Sequence, residues 1–225
     1  MDKGGKAGGL PALRDALLEL FFPTRCVFCR RLSGKGDPVC AACREKYPDV
    51  PMTGQIRHLP GLDCVSPLWY AGRARDALLR YKFRDCSGYA SVFGKFMRKC
   101  LDENRISCDS ITWVPLSARR LRSRGYDQAR LLAEEIAAAE GLPCEQMLEK
   151  QRDTPAQSGL RGREARRKNA AGAWRALDPA RVAGKHILLV DDIVTTGETL
   201  RECARVLKAA GAKSVTAVTA ARTKD

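Results

Sequence analysis

Several features that would assign a protein to a familiar class are missing from this 225-residue sequence. No run of apolar residues approaches the roughly 18 that a membrane-spanning helix needs. The N-terminus has no apolar signal-peptide segment with a small-residue cleavage site, so we expect a cytoplasmic protein without stable membrane insertion. Aromatic residues make up 6% of the chain, which gives little support to a surface that stacks nucleobases.

Two common nucleotide-binding signatures are also missing. Neither the G-x-G-x-x-G turn of dinucleotide-binding folds nor the G-x-x-x-x-G-K of Walker-type sites occurs. The two histidines, His58 and His186, have no visible partner in the sequence and receive no role. The chain length suits one medium α/β domain with a small accessory module.

Positive charge is in clear excess. Forty Lys and Arg residues against 26 Asp and Glu residues give a formal net charge of +14. Such an excess attracts phosphate, but it does not distinguish a small metabolite from a nucleic acid or a membrane surface. The basic residues are spread along the whole chain, so a surface that only keeps the protein in solution is a further explanation.

Four of the ten cysteines form two C-x2-C pairs separated by ten residues. Each pair can direct two thiolates at one metal ion from a tight turn, and together they complete the tetrahedral ligand set of a structural Zn²⁺ site. The predicted ligands are Cys26, Cys29, Cys40 and Cys43. The alternatives are a redox dithiol or a chance spacing, whereas a disulfide framework does not suit a chain without an export signal.

The pattern of the sequence divides the chain into three parts. Residues 1–9 are glycine-rich and are predicted to be a disordered tail. Residues 10–60 hold a short amphipathic helix, the four-cysteine module and a proline-rich linker. Residues 61–225 alternate strand-like and helix-like segments, which predicts an α/β fold with a largely parallel sheet flanked by helices.

Periodicity and breaker residues place the elements of this third part. Asp127 is a plausible N-cap for the helix that follows it, and Gly141 is a plausible stop. Residues 117–126 are predicted to be a loop, and residues 152–168 a long mobile loop rich in arginine. The predicted strands include residues 110–116, 187–190 and 214–220, and a helix is predicted from about 198 to 210.

The segment VDDIVTTGET, residues 190–199, carries the clearest chemical signal. Ligands of open α/β sheets bind at the carboxyl ends of strands, and Asp191 and Asp192 fall at such an end. Vicinal hydroxyl groups are natural partners for two carboxylates, whereas a helix N-terminus with small hydroxyl residues suits a phosphate. The predicted ligand is therefore a ribose with a 5′-phosphate, held in part by Thr195, Thr196, Gly197, Glu198 and Thr199.

Three quoted segments then resemble a known family. ILLVDDIVTTGET resembles the binding motif of the type I phosphoribosyltransferases, which use 5-phosphoribosyl 1-pyrophosphate. The chain has a four-cysteine module, followed by VPLSARRLRSRGYDQARLLAE, then RDTPAQSGLRGREARRKNAAGAW, and then that motif. This arrangement is similar to the ComF family, whose members are associated with natural competence. The likeness extends from about Leu10 onwards, with one departure, since the family more often has asparagine at the position of Asp127.

The resemblance implies roles for individual residues. Asp191 and Asp192 would be catalytic and would hold the ribose hydroxyl groups directly or through Mg²⁺, while residues 195–199 would hold the 5′-phosphate. The pyrophosphate contacts would be Ser117, Arg119 and Arg120, although a solvated basic face explains the two arginines equally well.

Two functions of different class remain open at this point. One is a phosphoribosyltransferase with an unidentified acceptor, acting in competence, DNA uptake or DNA utilisation. The other is a non-catalytic, zinc-stabilised scaffold that binds single-stranded DNA or a DNA-handling protein. The sequence makes no prediction of the oligomeric state.

Overall fold

The structure is a computed structural model that describes residues 23–34, 36–46, 56–152 and 170–224. The chain separates into a small unit, residues 1–48, and a large unit, residues 49–225, and each is described by itself. The predicted tail, the predicted N-terminal helix and the predicted arginine-rich loop from residue 153 onwards lie outside the described residues.

The large unit contains a mainly parallel β-sheet. Its strands are β1 (Arg57–Leu59), β2 (Leu62–Val65), β3 (Leu68–Trp69), β4 (Ser110–Trp113), β7 (His186–Val194) and β8 (Ser214–Arg222), and a separate antiparallel pair is formed by β5 (Leu148–Lys150) and β6 (Trp174–Ala176). Among the described residues the order is β1-β2-β8-β7-β4, with β3 also paired to β8. Only β1 and β2 pair antiparallel within this sheet, so the predicted largely parallel α/β class is confirmed.

Helices cover both faces of the sheet. The helices are α1 (Ala41–Lys46) in the small unit, and α2 (Gly72–Phe83), α3 (Tyr89–Glu103), α4 (Ala118–Arg124), α5 (Gln128–Glu140), α6 (Pro179–Val182) and α7 (Glu198–Ala209) in the large unit. Helix α7 packs on β2, β7 and β8, whereas α3 and α5 pack on each other and on β4, β7 and β8. Within the described ranges, no helix is long and apolar enough to cross a membrane.

The strands β7 and β8 read as nearly continuous apolar runs because helices bury both of their faces. Ile187 and Leu189 belong to the apolar cluster that contains Leu200 and Leu207 of α7. Side chains alternate across a strand, so the buried Leu188 lies on the opposite face of the sheet. The core of the large unit therefore consists of two apolar layers separated by β7 and β8.

Several predicted boundaries are confirmed by specific contacts. The carboxylate of Asp127 accepts hydrogen bonds from the backbone N–H groups of Ala129 at 3.1 Å and Arg130 at 3.3 Å, and it therefore caps α5. Gly141 ends the same helix with a left-handed φ of 65°, as predicted.

Other predictions were wrong in position. Residues 118–124 form the helix α4, which Ser117 caps, although a loop was predicted there. This helix has no buried residue and hence no apolar periodicity that could identify it. Residues 57–59 join the sheet as β1, although they were assigned to the linker. Strand β7 continues to Val194, four residues beyond the predicted end, because its pairing with β8 extends that far.

Candidate functional site

A cavity of about 330 Å³ opens where β3, β4 and β7 end. Tyr70 follows β3 into its wall, Pro115 and Leu116 follow β4, and the motif residues extend from β7. The cavity thus lies at the carboxyl edge of the parallel sheet, where the VDDIVTTGET segment predicts the ligand.

The cavity brings most of the predicted site residues together. Those that line it are Asp191, Asp192, Thr195, Gly197, Glu198, Thr199 and Arg120. Thr196, Ser117 and Arg119 are not among the described residues of its wall. The Ser117 side chain instead accepts a hydrogen bond from the backbone N–H of Arg120 at 3.4 Å and begins α4.

The two adjacent acids are not equivalent. Both belong to β7, so the alternation of the strand directs Asp191 to the face of Ile187 and Leu189 and directs Asp192 to the opposite face. Burial, with a further contribution from the negative charge of Asp192, raises the pKa of Asp191 to about 8. Asp192 instead pairs with a cation, since its Oδ2 lies 2.7 Å from the Nζ of Lys82.

Lys82 is a residue of the site that the sequence did not identify. It lies in the last turn of α2, more than a hundred residues before the motif, and its side chain lines the same cavity. Its only sequence signal is the basic and aromatic run RYKF, residues 80–83. Proximity to Asp192 depends on the packing of α2 near the end of β7, which periodicity does not report.

The motif loop is held by residues from the predicted linker. Arg57 Nη1 donates a 2.7 Å hydrogen bond to the carbonyl oxygen of Thr195. Gly197 has a φ of 79°, and a Cβ at this position would lie 2.5 Å from Cδ1 of Leu59. Glycine therefore suits this position, both for its left-handed backbone conformation and for the close approach of the Leu59 side chain.

The loop leads directly into α7. Glu198 in its first turn is 4% exposed and accepts hydrogen bonds from Arg201 Nη1 at 3.2 and 3.1 Å. No side chain makes a capping hydrogen bond to this helix, and the buried Oγ1 of Thr196 has no partner among the described residues. The Arg201 contact neutralises Glu198, whose negative charge would otherwise oppose an anion at the helix N-terminus.

Cationic side chains line the same cavity as the two acids. Those that line it are Lys82, Arg120, Arg124 and Lys150. Arg124 Nη1 donates to Gln128 Oε1 at 2.8 Å, and its guanidinium lies 5.1 Å from the centroid of the Phe83 ring. Burial lowers the pKa of Arg124, but a guanidinium remains protonated near neutral pH. The site thus combines carboxylates that accept hydrogen bonds with cations that suit phosphate groups.

Two further contacts fix the wall of the cavity. Asp127 Oδ2 accepts a 3.0 Å hydrogen bond from the backbone N–H of Leu116, which ties the segment after β4 to the start of α5. Burial raises the pKa of Asp127, although these backbone hydrogen bonds oppose the shift. Lys150 and Trp174, from β5 and β6, supply another part of the wall, with Lys150 Nζ 4.8 Å from the indole centroid.

The four paired cysteines form a separate site in the small unit. Their four Sγ atoms lie within 4.8 Å of one another, and those of Cys29 and Cys40 are 3.6 Å apart. A tetrahedral Zn²⁺ with Zn–S bonds of about 2.3 Å needs sulfur atoms roughly 3.8 Å apart, so the cluster fits this ion. Four thiolate ligands leave no open coordination position, which is typical of a structural site.

The two cysteine pairs differ in local structure. Cys26 begins a turn closed by the hydrogen bond from the Arg30 N–H to its carbonyl oxygen at 2.9 Å. The second pair was also predicted to form a turn, but Cys40 precedes α1 and Cys43 lies within it. Burial alone raises the pKa of Cys26, yet hydrogen bonds, chiefly from the backbone N–H groups of Cys29 and Cys40, lower it to about 7. A lowered pKa favours the thiolate that binds metal.

Comparison with known proteins assigns the family. The double zinc ribbon domain family matches residues 17–54, and the phosphoribosyl transferase domain family matches residues 123–225. The DNA utilization protein YhgH of Escherichia coli (strain K12) is 30% identical over 208 residues, which cover 84% of this chain and 86% of YhgH. Competence protein F of Haemophilus influenzae is 24% identical over 219 residues, which cover 87% of this chain and 95% of that protein. The chain belongs to the ComF family.

Part of the cavity of this ComF chain lies outside the two segments that match known domain families. The transferase family match begins at residue 123, so it excludes Lys82, Arg120 and the strand β1. Among solved structures, glutamine phosphoribosylpyrophosphate amidotransferase from B. subtilis aligns with 64% of the ComF chain at 22% identity and a TM-score of 0.44. The ComF chain covers 30% of the length of that enzyme.

Proposed function

We propose that this ComF protein binds 5-phosphoribosyl 1-pyrophosphate and transfers the phosphoribosyl group to an acceptor. One observation carries the proposal, namely that a single cavity is lined by Asp191, Asp192, four residues of the 195–199 loop and four cationic side chains. Carboxylates accept hydrogen bonds from ribose hydroxyl groups, the helix N-terminus suits the 5′-phosphate, and the cations suit the pyrophosphate.

Each group has a task in the proposed reaction. The carboxylate of Asp192 orients the sugar by accepting hydrogen bonds from its hydroxyl groups. As pyrophosphate departs, the anomeric carbon gains positive character and the leaving group gains negative charge, which Arg120 and Arg124 stabilise from the cavity wall. The apolar surface of the buried Trp174 limits the access of water to that centre.

Magnesium is part of the same proposal. Carboxylate oxygens are the hard ligands that Mg²⁺ prefers, and Asp191 and Asp192 both line the cavity. A bound Mg²⁺ would supply further charge neutralisation for the leaving group.

Calorimetric titration tests the proposed binding site. We expect 5-phosphoribosyl 1-pyrophosphate with Mg²⁺ to bind wild type, and we expect the Asp191→Asn, Asp192→Asn double variant to lose that binding. Asp102→Asn is the matched control, because this carboxylate is exposed on α3 and does not line the cavity. Absence of binding by folded wild type would overturn the proposed function. Pyrophosphate release with a panel of amine acceptors then tests the transfer itself.

The proposed cellular role is based on the names of the relatives. One is called a DNA utilization protein and another a competence protein, so we place the proposed transfer in DNA uptake or utilisation. None of the ten cysteines forms a disulfide, and this supports a cytoplasmic location.

Direct binding of single-stranded DNA is the second candidate function. Phe83 is 62% exposed and Leu121 is 42% exposed, beside the arginines of α4. Aromatic and arginine side chains together suit unpaired bases and phosphates. If this surface binds DNA, the affinity falls steeply with rising salt and drops in Phe83→Ala, whereas binding of the phosphoribosyl ligand depends more on Mg²⁺.

A further inference from the structure

The ion pair between Lys82 and Asp192 occupies the position where the proposed substrate must bind. Lys82 Nζ lies 2.7 Å from Asp192 Oδ2, and the side chains are 23% and 11% exposed. Both side chains line the cavity. A sugar whose hydroxyl groups donate to Asp192 competes with this ammonium for the same carboxylate oxygen.

We propose that Lys82 exchanges its ion pair with Asp192 for the pyrophosphate of the bound substrate. This inference rests on the proposed function. Ribose hydroxyl groups replace the ammonium as donors to Asp192, so the carboxylate keeps its hydrogen bonds. The released ammonium then contacts the nearby pyrophosphate, which carries more negative charge than one carboxylate.

The surroundings of Lys82 fix its backbone and leave its side chain able to turn. The neighbouring Tyr81 is fully buried, and its hydroxyl donates to the carbonyl oxygen of Gln128 at 2.8 Å. The hydroxyl of Tyr126 in turn donates to the carbonyl oxygen of Tyr81. These contacts anchor the end of α2 to the start of α5, so the flexible four-carbon stem of Lys82 begins from a fixed point.

Two other cations of the cavity, Arg124 and Lys150, already have partners within the protein. The guanidinium of Arg124 is held by Gln128 at 2.8 Å and lies over the Phe83 ring. Lys150 lies over the ring of Trp174. Lys82 is bound instead to an acid that the substrate itself can occupy, so substrate binding would release it.

The exchange gives Lys82 a role in the chemical step. The bond between the anomeric carbon and the pyrophosphate oxygen breaks, and both electrons of that bond remain with pyrophosphate. The acceptor forms the new bond with its own electron pair and loses its proton to solvent. The ammonium of Lys82 stabilises the growing charge on pyrophosphate without changing its own protonation.

The matched variants are Lys82→Met, Lys82→Arg and Lys95→Met. Lys95 is exposed on α3 and does not line the cavity, so Lys95→Met removes the same charge elsewhere. The probes are ribose 5-phosphate, inorganic pyrophosphate and 5-phosphoribosyl 1-pyrophosphate, each titrated by calorimetry with Mg²⁺. Far-ultraviolet circular dichroism and thermal unfolding establish that each variant is folded.

We expect Lys82→Met to weaken 5-phosphoribosyl 1-pyrophosphate by roughly 10–100-fold, the range typical of one charge-assisted contact, and ribose 5-phosphate by less than about 3-fold. Inorganic pyrophosphate has no hydroxyl groups that replace the ammonium at Asp192, so its binding should weaken less than that of 5-phosphoribosyl 1-pyrophosphate. Lys82→Arg should recover most of the loss, and Lys95→Met should match wild type. Equal weakening of all three probes would overturn the exchange, because Lys82 would then serve only to hold Asp192. Unchanged binding of all three would also overturn it. Failure of wild type to bind any probe would instead refute the proposed function.

Discussion

Replacement of Asp191 by asparagine should stabilise the protein, and more so as the pH rises. Burial, with the charge of Asp192, raises the pKa of this carboxyl from 3.8 to about 8. Between these two values the folded state retains a proton that the unfolded chain has released. The stability of wild type therefore falls as the pH rises from about 4 to about 8 and is level above that range.

The magnitude follows from the size of the shift. Each pH unit within this window costs at most about 1.4 kcal/mol, so two units between pH 5 and pH 7 cost at most about 3 kcal/mol. The Lys82 ammonium opposes the shift. We therefore expect Asp191→Asn to gain about 1–3 kcal/mol over wild type between pH 5 and pH 7. Asparagine retains an oxygen that can accept the 2.8 Å hydrogen bond from the Asp192 N–H.

Urea unfolding followed by tryptophan fluorescence provides the assay. The three tryptophans, Trp69, Trp113 and Trp174, all belong to the large unit and therefore report on its unfolding. Wild type, Asp191→Asn and the exposed control Asp102→Asn are compared at pH 5, 6, 7 and 8 without added Mg²⁺ or ligand. A difference between wild type and Asp191→Asn that does not change with pH would refute the reasoning, as would a loss of stability in that variant at pH 8.

Two further predictions concern the loop and the metal site. Gly197→Ala should destabilise the large unit by about 3 kcal/mol or more in the same urea assay, because a left-handed backbone and contact with Leu59 act together. The control is Gly141→Ala, because Gly141 also has a left-handed φ, 65°, but nothing lies within 4 Å of the added Cβ. This variant should lose only about 1 kcal/mol of unfolding free energy. Equal losses in the two variants would contradict the role of Leu59. Cys26→Ser should abolish the binding of one Zn²⁺ per chain, measured by atomic absorption, whereas Cys86→Ser should retain it. Stoichiometric zinc in Cys26→Ser would exclude the four-cysteine site.

Local sequence signals were enough for the parts of the fold that depend on neighbouring residues. The cap at Asp127 and the stop at Gly141 involve backbone groups within a few positions, so composition and spacing indicate them. The cysteine spacing predicted a cluster that the structure brings together. The VDDIVTTGET segment contains a strand end and a helix start in one continuous stretch, and it therefore located the cavity.

Contacts between distant segments could not be predicted in this way. Arg57 and Thr195 are 138 residues apart, and no pattern around Arg57 indicates that it supports the motif loop. Lys82 was missed for the same reason. The difference between Asp191 and Asp192 was missed for another reason, since the strand was predicted to end at Val190 and its alternation was not extended to the acids.

The position of β8 in the sheet has a consequence for biosynthesis. This strand lies between β7 and β2, and the buried hydroxyl groups of Ser66 and Thr219, 153 residues apart, are joined by a 2.7 Å hydrogen bond. At roughly 5–20 residues per second, a ribosome needs on the order of 10–30 s to synthesise that interval. During this time β2 and β3 have no parallel partner, so their unpaired edges are exposed to other nascent chains and to chaperones.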